Sequence, residues 1–342
     1  MSTFKKNSKL LNILNDVDLR KLSKKEITYF DKKKILITGV SGLIGLNLLF
    51  FFYNMSKKKN ISIQIEGIYN NYLFYFVKNF FKKDKKISFS KIDLTKKKIN
   101  KSKKYDLIFH CAGYGQPAKF LKFKTSTYKL NSLTIMDLKN NLSSKGKFIY
   151  MSSTEIYSGN ENLCVEKSIG KTTTSHPRSP YIESKKFGES YILNFFNNFL
   201  IFRVCLTYGP GVKLNDERIM NLLLLRSIKE KQIDIYGGLS QLRSNLYIGD
   251  AINLIIKSTT KFSREIFNIN NHNMTTIKEM AELISKISKK KIKNHKSFYK
   301  GSPSIIKISN KKVLKATKYK ISTSLREGVI KTYKWYLNLI NY

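Results

Sequence analysis

Tyr181 and Lys185 lie four residues apart in SPYIESKKFGES (179–190), a spacing that puts a phenol and an ammonium on one face of a helix. An ammonium beside a phenol favours the ionised form. Tyr181 is therefore expected to take a proton from a substrate hydroxyl, with Lys185 lowering its pKa. The spacing alone says little: Tyr29/Lys33 and Tyr53/Lys57 repeat it, as composition predicts for a chain with 20 Tyr and 56 Lys in 342 residues. Position separates the three. Tyr181 opens a helical stretch downstream of MSSTEIY (151–157), a strand end rich in hydroxyls, whereas Tyr29 precedes the first glycine turn and Tyr53 closes the first helix. In that cluster Ser153 is expected to hydrogen-bond the oxygen that becomes a carbonyl. Glu155, on the same side if the strand runs on, is expected to act as a second acid or base.

These side chains need a scaffold that brings strand ends together. Residues 33–38, KKILIT, read as a short apolar strand, and GVSGLIG follows directly before a helix-length apolar stretch. Gly39, Gly42 and Gly45 fall where a dinucleotide loop needs a tight turn, close approach to a diphosphate and close helix–strand packing. Asp93, in KIDL, is placed to bond the adenine edge or simply to turn the chain. The acidic residue expected after the second strand is missing, with Tyr69 and Asn70 there instead, so the choice between NAD and NADP stays open.

Further apolar strands at 63–69, 87–93, 105–113, 146–153 and 199–206 alternate with helical stretches. This pattern predicts an α/β fold with a Rossmann-type doubly wound parallel sheet. Beyond residue 206, helical stretches (217–230, 250–260, 275–289, 323–340) dominate between short strands, which predicts a smaller C-terminal α/β domain. The expected organisation is a polar N-terminal extension over 1–32 and a dinucleotide-binding domain over 33–205, joined by 244–260. Residues 206–243 and 261–342 form the second domain.

The net charge of +41 raises the possibility of a nucleic-acid binder on a Rossmann shell. Against it, only eight of the 64 basic residues are Arg, and the lysines are scattered rather than gathered on one face. Specific nucleic-acid binding is not expected, and the positive charge reads as a field that attracts anionic ligands. Cys111, Cys164 and Cys205 show neither disulfide nor zinc spacing, and His110, His176, His272 and His295 show no metal spacing. No apolar run is long enough for a membrane span and the N-terminus has no secretory h-region, so a cytoplasmic location is expected.

The glycine loop, SSTEIY, YIESK and RVCLTYGPG together resemble the extended short-chain dehydrogenase/reductase superfamily, in its NAD-dependent epimerase/dehydratase family of nucleotide-sugar enzymes. The likeness runs over residues 33–340 and includes HCAG (110–113), Asn131, YGGLSQLRSNLYIGD (236–250), EIFNI (265–269) and the tail after Ser309. It implies an NAD that is reduced and regenerated within one turnover, through a transient 4-keto sugar. It also implies cofactor contacts from Gly39, Gly42, Leu43, Ile44 and Gly45, from Asn70, from Asp93 and Leu94, and from Cys111 and Ala112, together with Tyr181 and Lys185. A homodimer through the Tyr181 helix is implied as well.

Three stretches are most similar to UDP-glucuronate decarboxylases: SSTEIY, PRSPYIESKK (177–186) and NDERIM (215–220). They imply a UDP-linked substrate held by Arg178, Asn215 and Arg218, joined by Arg243 of SQLRS, the second domain being the substrate-binding one. Gln116 is expected to present to the sugar a group different from the family's serine-rich loop. Arg243 would take the diphosphate, where a bidentate fork explains Arg in a lysine-dominated chain. Departures leave 4-epimerisation and 4,6-dehydration as alternatives. Leu206 replaces the family's Asn, AGYGQPAKF replaces a serine-rich loop, and Thr154-Glu155 stands where dTDP-glucose dehydratases carry Asp-Glu.

Overall fold

The computed structural model describes residues 2–295 and 307–342. Seven parallel strands form one sheet: β1 (Lys34–Thr38), β2 (Gln64–Tyr69), β3 (Ile87–Lys91), β4 (Tyr105–His110), β5 (Leu142–Ser153), β6 (Phe199–Val204) and β7 (Glu265–Ile269). Their order is β3-β2-β1-β4-β5-β6-β7. The central strands β1, β4 and β6 read as nearly continuous apolar runs because successive side chains enter opposite, equally covered faces, whereas the edge strand β3 (ISFSK) alternates. Ile35 and Ile37 join one core cluster with Phe109, Ile149 and Phe202, while Leu36 joins the other with Ile108, Tyr150 and Ile201.

The order reverses between β1 and β4, and a ligand crevice opens at the carboxyl ends of such a pair. Thr38 ends β1 and His110 ends β4, in register with each other. Beyond β6 a smaller unit carries a three-stranded sheet (Met274–Thr276, Leu242–Tyr247, Leu206–Tyr208) and a parallel pair (Ile233–Tyr236, Ile292–His295). Helices Ile219–Lys229, Ile277–Ser288 and Leu325–Ile340 cover them.

Two expectations about chain organisation need correction. Glu265–Ile269, expected within the 261–342 part of the second domain, pairs in parallel with β6 and completes the main sheet. Phe267 and Ile269 are buried there against the larger core. Residues 296–306 of that range lie outside the described residues, as does Met1. The polar extension expected over 1–32 is instead part of the body. Helix Ser2–Leu14 and the segment after it bury Leu10, Leu14, Leu19, Leu22, Ile27 and Phe30 in the main core. Glu26 is buried between Lys257 and Lys261, each at 3.1 Å. A thin apolar stripe among many lysines hides this packing from composition.

Candidate active site

The glycine loop leaves β1 at Gly39, whose φ of +67° suits a residue without a side chain. A Cβ on Gly39 would lie 2.7 Å from Ala112 N, and one on Gly45 would lie 2.4 Å from Gly39 O, so backbone meets backbone at both positions. Gly42, at the N-cap of the Leu43–Lys59 helix, carries no side chain to accept from the N–H groups of the first turn. Behind the loop, Ala112 N–H donates to Thr38 Oγ1 at 3.3 Å. Thr38 Oγ1 lies 2.8 Å from His110 Nδ1, and His110 Nε2 donates to Leu130 O at 2.9 Å. Burial pulls His110 down to about 3, so it is a neutral ring that ties β1 to β4.

On the other side of the crevice β5 ends at Ser153, and the Ser153 hydroxyl accepts from Glu155 N at 3.2 Å, starting a 3₁₀ turn over Thr154–Tyr157. The strand does not continue through Glu155, as strand alternation required. The turn, rather than a two-residue period, brings Ser153 and Glu155 to one cavity. Helix Ser179–Phe195 carries Tyr181 and Lys185 into the same space. Tyr181 stacks on Phe120 at 4.5 Å and 10°. Burial pushes its phenol up to about 12, against the pull of the Ser153 hydroxyl, Arg178 and Arg218.

Lys185 behaves differently from expectation. Its ammonium donates to Met151 O at 2.7 Å and lies over the Tyr150 ring at 4.6 Å. Burial draws its pKa down to about 7, and the same ammonium lies 5.8 Å from the centre of the Tyr181 ring.

Arg178, Arg218 and Arg243 border one cavity of about 1650 Å³ with Ser153, Glu155, Tyr181, Lys185, Cys111 and Ile44. Arg178 Nη2 donates to Glu155 Oε1 at 3.0 Å. Burial raises the Glu155 carboxyl, while Arg178, Arg243 and His176 oppose the rise. Arg243 is steadied by Leu242 O and Gln241 Oε1, at 2.8 and 2.7 Å. Arg218 makes a fork with Asp216.

A model of the NAD dependent epimerase/dehydratase family matches residues 35–270. The chain belongs to this family. A UDP-glucuronic acid decarboxylase 1 from Xenopus tropicalis is 23% identical over 270 residues, 75% of this chain and 61% of that protein. The match thus spans about three fifths of that relative's length. An epimerase from Methanothermobacter thermautotrophicus superposes with a TM-score of 0.75 at 18% identity, over 92% of this chain and 95% of its own. A dTDP-glucose 4,6-dehydratase from Streptomyces venezuelae, solved with NAD bound, gives 0.75 at 16% identity over 89% and 96%.

NAD is the family's cofactor, and the loop fits it: the two close glycine contacts leave a cradle that any Cβ would fill, at a helix N-terminus without a side-chain cap. Of the remaining residues implied by the family likeness, Cys111 is a neutral thiol pushed up to about 12 by burial. Asn70 sits half-buried just past β2. Asp93 accepts from Thr95 N and Oγ1 through one oxygen, a turn that leaves the strand two residues earlier. Leu94 packs into the second core cluster and its carbonyl accepts from Thr134. Gln116 stands at the N-cap position of the helix Pro117–Lys122 without a side-chain capping bond and does not line the cavity; its Oε1 instead accepts from Glu217 N at 3.3 Å. Asn215 is exposed and does not line the cavity.

Some residues that shape the site gave no motif signal. Phe120 lies under Tyr181, Tyr150 lies under Lys185, and Arg203 is forked to Glu189 at 2.6 Å while Glu189 accepts from Ser152 next to Ser153. Only the isolated Arg203 inside an apolar strand hinted at such a pair. Among the described residues no cluster of three or more His, Cys, Asp or Glu side chains is arranged to hold a metal ion, and no helix is long and apolar enough to cross a membrane.

Proposed function

We propose that this enzyme oxidises the C4 hydroxyl of a nucleotide sugar to a transient ketone and, with a UDP-linked hexuronate, releases the carboxylate as carbon dioxide. When bound, NAD supplies the two-electron acceptor and donor that the transient ketone requires. Tyr181 Oη takes the proton of the C4 hydroxyl, and Ser153 holds O4 through a hydrogen bond. The ketone stands β to the C6 carboxylate. The C5–C6 bond therefore breaks with its electron pair moving towards O4, and Tyr181 holds the proton that stabilises the enolate. Glu155 delivers the proton that C5 needs after carbon dioxide leaves. Arg178, Arg218 and Arg243 receive the anionic groups of the substrate.

The observation that carries this reading is Glu155, set beside Tyr181 in the cavity with its carboxyl raised by burial. Exchange at C4 alone has no use for such a group. The likeness to the Xenopus decarboxylase supports the same choice. Incubating the protein with UDP-, GDP-, CDP- and dTDP-sugars and weighing the products tests it. Loss of carbon dioxide from UDP-glucuronate is expected. Loss of water would indicate a 4,6-dehydratase, and an unchanged mass with inverted C4 a 4-epimerase.

We also propose a homodimer through the helix carrying Tyr181. Phe187, Leu193 and Phe195 on that helix, with Tyr128 and Leu133 nearby in the chain's preceding helices, are exposed large apolar side chains. Light scattering of the purified protein at twice the 39.8 kDa chain mass is the expected result.

A further inference from the structure

The segment after β6 presses on the glycine helix. Asn47, in the first turns of the Leu43–Lys59 helix, donates to Pro210 O at 2.9 Å, and a Cβ on Gly211 would lie 2.9 Å from Asn47 Nδ2. From the other side, Trp335 Nε1 donates to Val212 O at 2.7 Å and Tyr336 Oη to Lys213 O at 3.4 Å. The backbone of Lys213 is thus fixed between the C-terminal helix and the cofactor loop. Its side chain points inward. Lys213 Nζ lies 3.5 Å from the hydroxyl of Ser41, the residue just before Gly42, and 5.3 Å from the centre of the Tyr72 ring.

No carboxylate pairs with Lys213 among the described residues, although the chain forms other ion pairs at buried lysines such as Lys257. Burial draws its pKa down to about 8, and Lys119 adds repulsion. Two cations brought together without an acid, one of them largely out of solvent, repel each other at a cost in energy. An anion placed between them removes that cost. The uncapped N-terminus of a 17-residue helix opens onto the same Ser41 loop.

We propose that Lys213 contacts the diphosphate of the bound dinucleotide, closing the glycine loop from the second unit of the fold. The residue positions the cofactor and takes no part in proton transfer. Because the C-terminal helix holds its backbone, retention of the cofactor depends on that helix. The proposal rests on the dinucleotide reading of the glycine loop.

The test measures binding rather than turnover. Cofactor-stripped wild type, Lys213→Met and Lys213→Arg are titrated calorimetrically with NAD⁺, NADP⁺, ADP and adenosine, and circular dichroism confirms that each variant is folded. Lys213→Met is expected to bind NAD⁺ and ADP at least about tenfold more weakly, the size of one charge-assisted contact. Adenosine, which lacks the diphosphate, is expected to bind wild type and variant alike, and Lys213→Arg should recover most of the loss. Equal affinity of wild type and Lys213→Met for ADP would overturn the proposal, as would a loss confined to NADP⁺, which would assign the lysine to a 2′-phosphate. Wild-type protein that binds neither NAD⁺ nor ADP would instead overturn the dinucleotide reading, and the proposal with it.

Discussion

Arg178 holds one oxygen of Glu155 at 3.0 Å, while the other oxygen, Oε2, is buried with no hydrogen-bond partner among the described residues. A carboxylate half-satisfied in this way is costly to leave charged and is ready to accept or deliver a proton. Glu155→Gln keeps the shape and the Arg178 contact but cannot exchange a proton. With UDP-glucuronate it is expected to slow decarboxylation by about 10²-fold or more, the usual scale of general acid–base catalysis. The formation of the 4-keto species, read as bound NADH absorbance, should change much less. Decarboxylation at the wild-type rate would remove Glu155 from the mechanism.

Lys185 gives a pH prediction. Its pKa falls from 10.5 in the unfolded chain to about 7 in the folded one, so between these values the unfolded state holds the extra proton. The burial penalty is complete below about pH 7 and fades as pH rises towards 10.5, so this group's contribution to stability rises with pH. In cofactor-free protein, Lys185→Met should therefore gain most over wild type at low pH, with the advantage shrinking as pH rises. Urea midpoints of both proteins across that window check the sign. An advantage that grows with pH would contradict it.

Gly45 admits no side chain without moving the loop, since an added Cβ would lie 2.4 Å from Gly39 O. Gly45→Ala is expected to weaken NAD⁺ binding at least about tenfold, corresponding to a backbone distortion of about 1–3 kcal/mol. Calorimetric titration of the stripped variant gives the value. NAD⁺ affinity equal to wild type would show that the cradle does not hold the cofactor.

The forked pair of Arg203 and Glu189 is buried behind Ser152, with the two side chains 8% and 5% exposed. Glu189→Ala leaves Arg203 charged and unpaired in the interior. A loss of about 3–5 kcal/mol in unfolding free energy is expected, measurable by chemical denaturation. A loss under about 1 kcal/mol would mean that Tyr157 and Glu166 O, which also receive Arg203, suffice.

Much of the fold was legible because its signals are local. The strands of the main sheet announce themselves as apolar runs, the glycine turn as a backbone need, and the helices after residue 206 as periodic stretches within a few residues of Ile219–Lys229, Ile248–Lys261, Ile277–Ser288 and Leu325–Ile340. Glu265–Ile269 was placed in the wrong unit because a short strand carries no mark of which sheet it joins. The N-terminal packing escaped because lysines dominate its composition while six apolar side chains do the burying.

At the site, the sequence by itself determined the residue types and the two helix and strand ends that present them: Ser153 and Glu155 after β5, Tyr181 and Lys185 one turn apart, and a glycine loop after β1. Those follow from short-range geometry, which the order of residues dictates. Only the tertiary structure decided which groups face each other. It turned the chain at Ser153, seated Lys185 on Met151 O with a lowered pKa, paired Arg178 with Glu155, left Asn215 outside, and aimed Lys213 at Ser41. The physical reason is that burial and long-range pairing set both the protonation state and the partner of a side chain, and neither is a property of its neighbours in sequence.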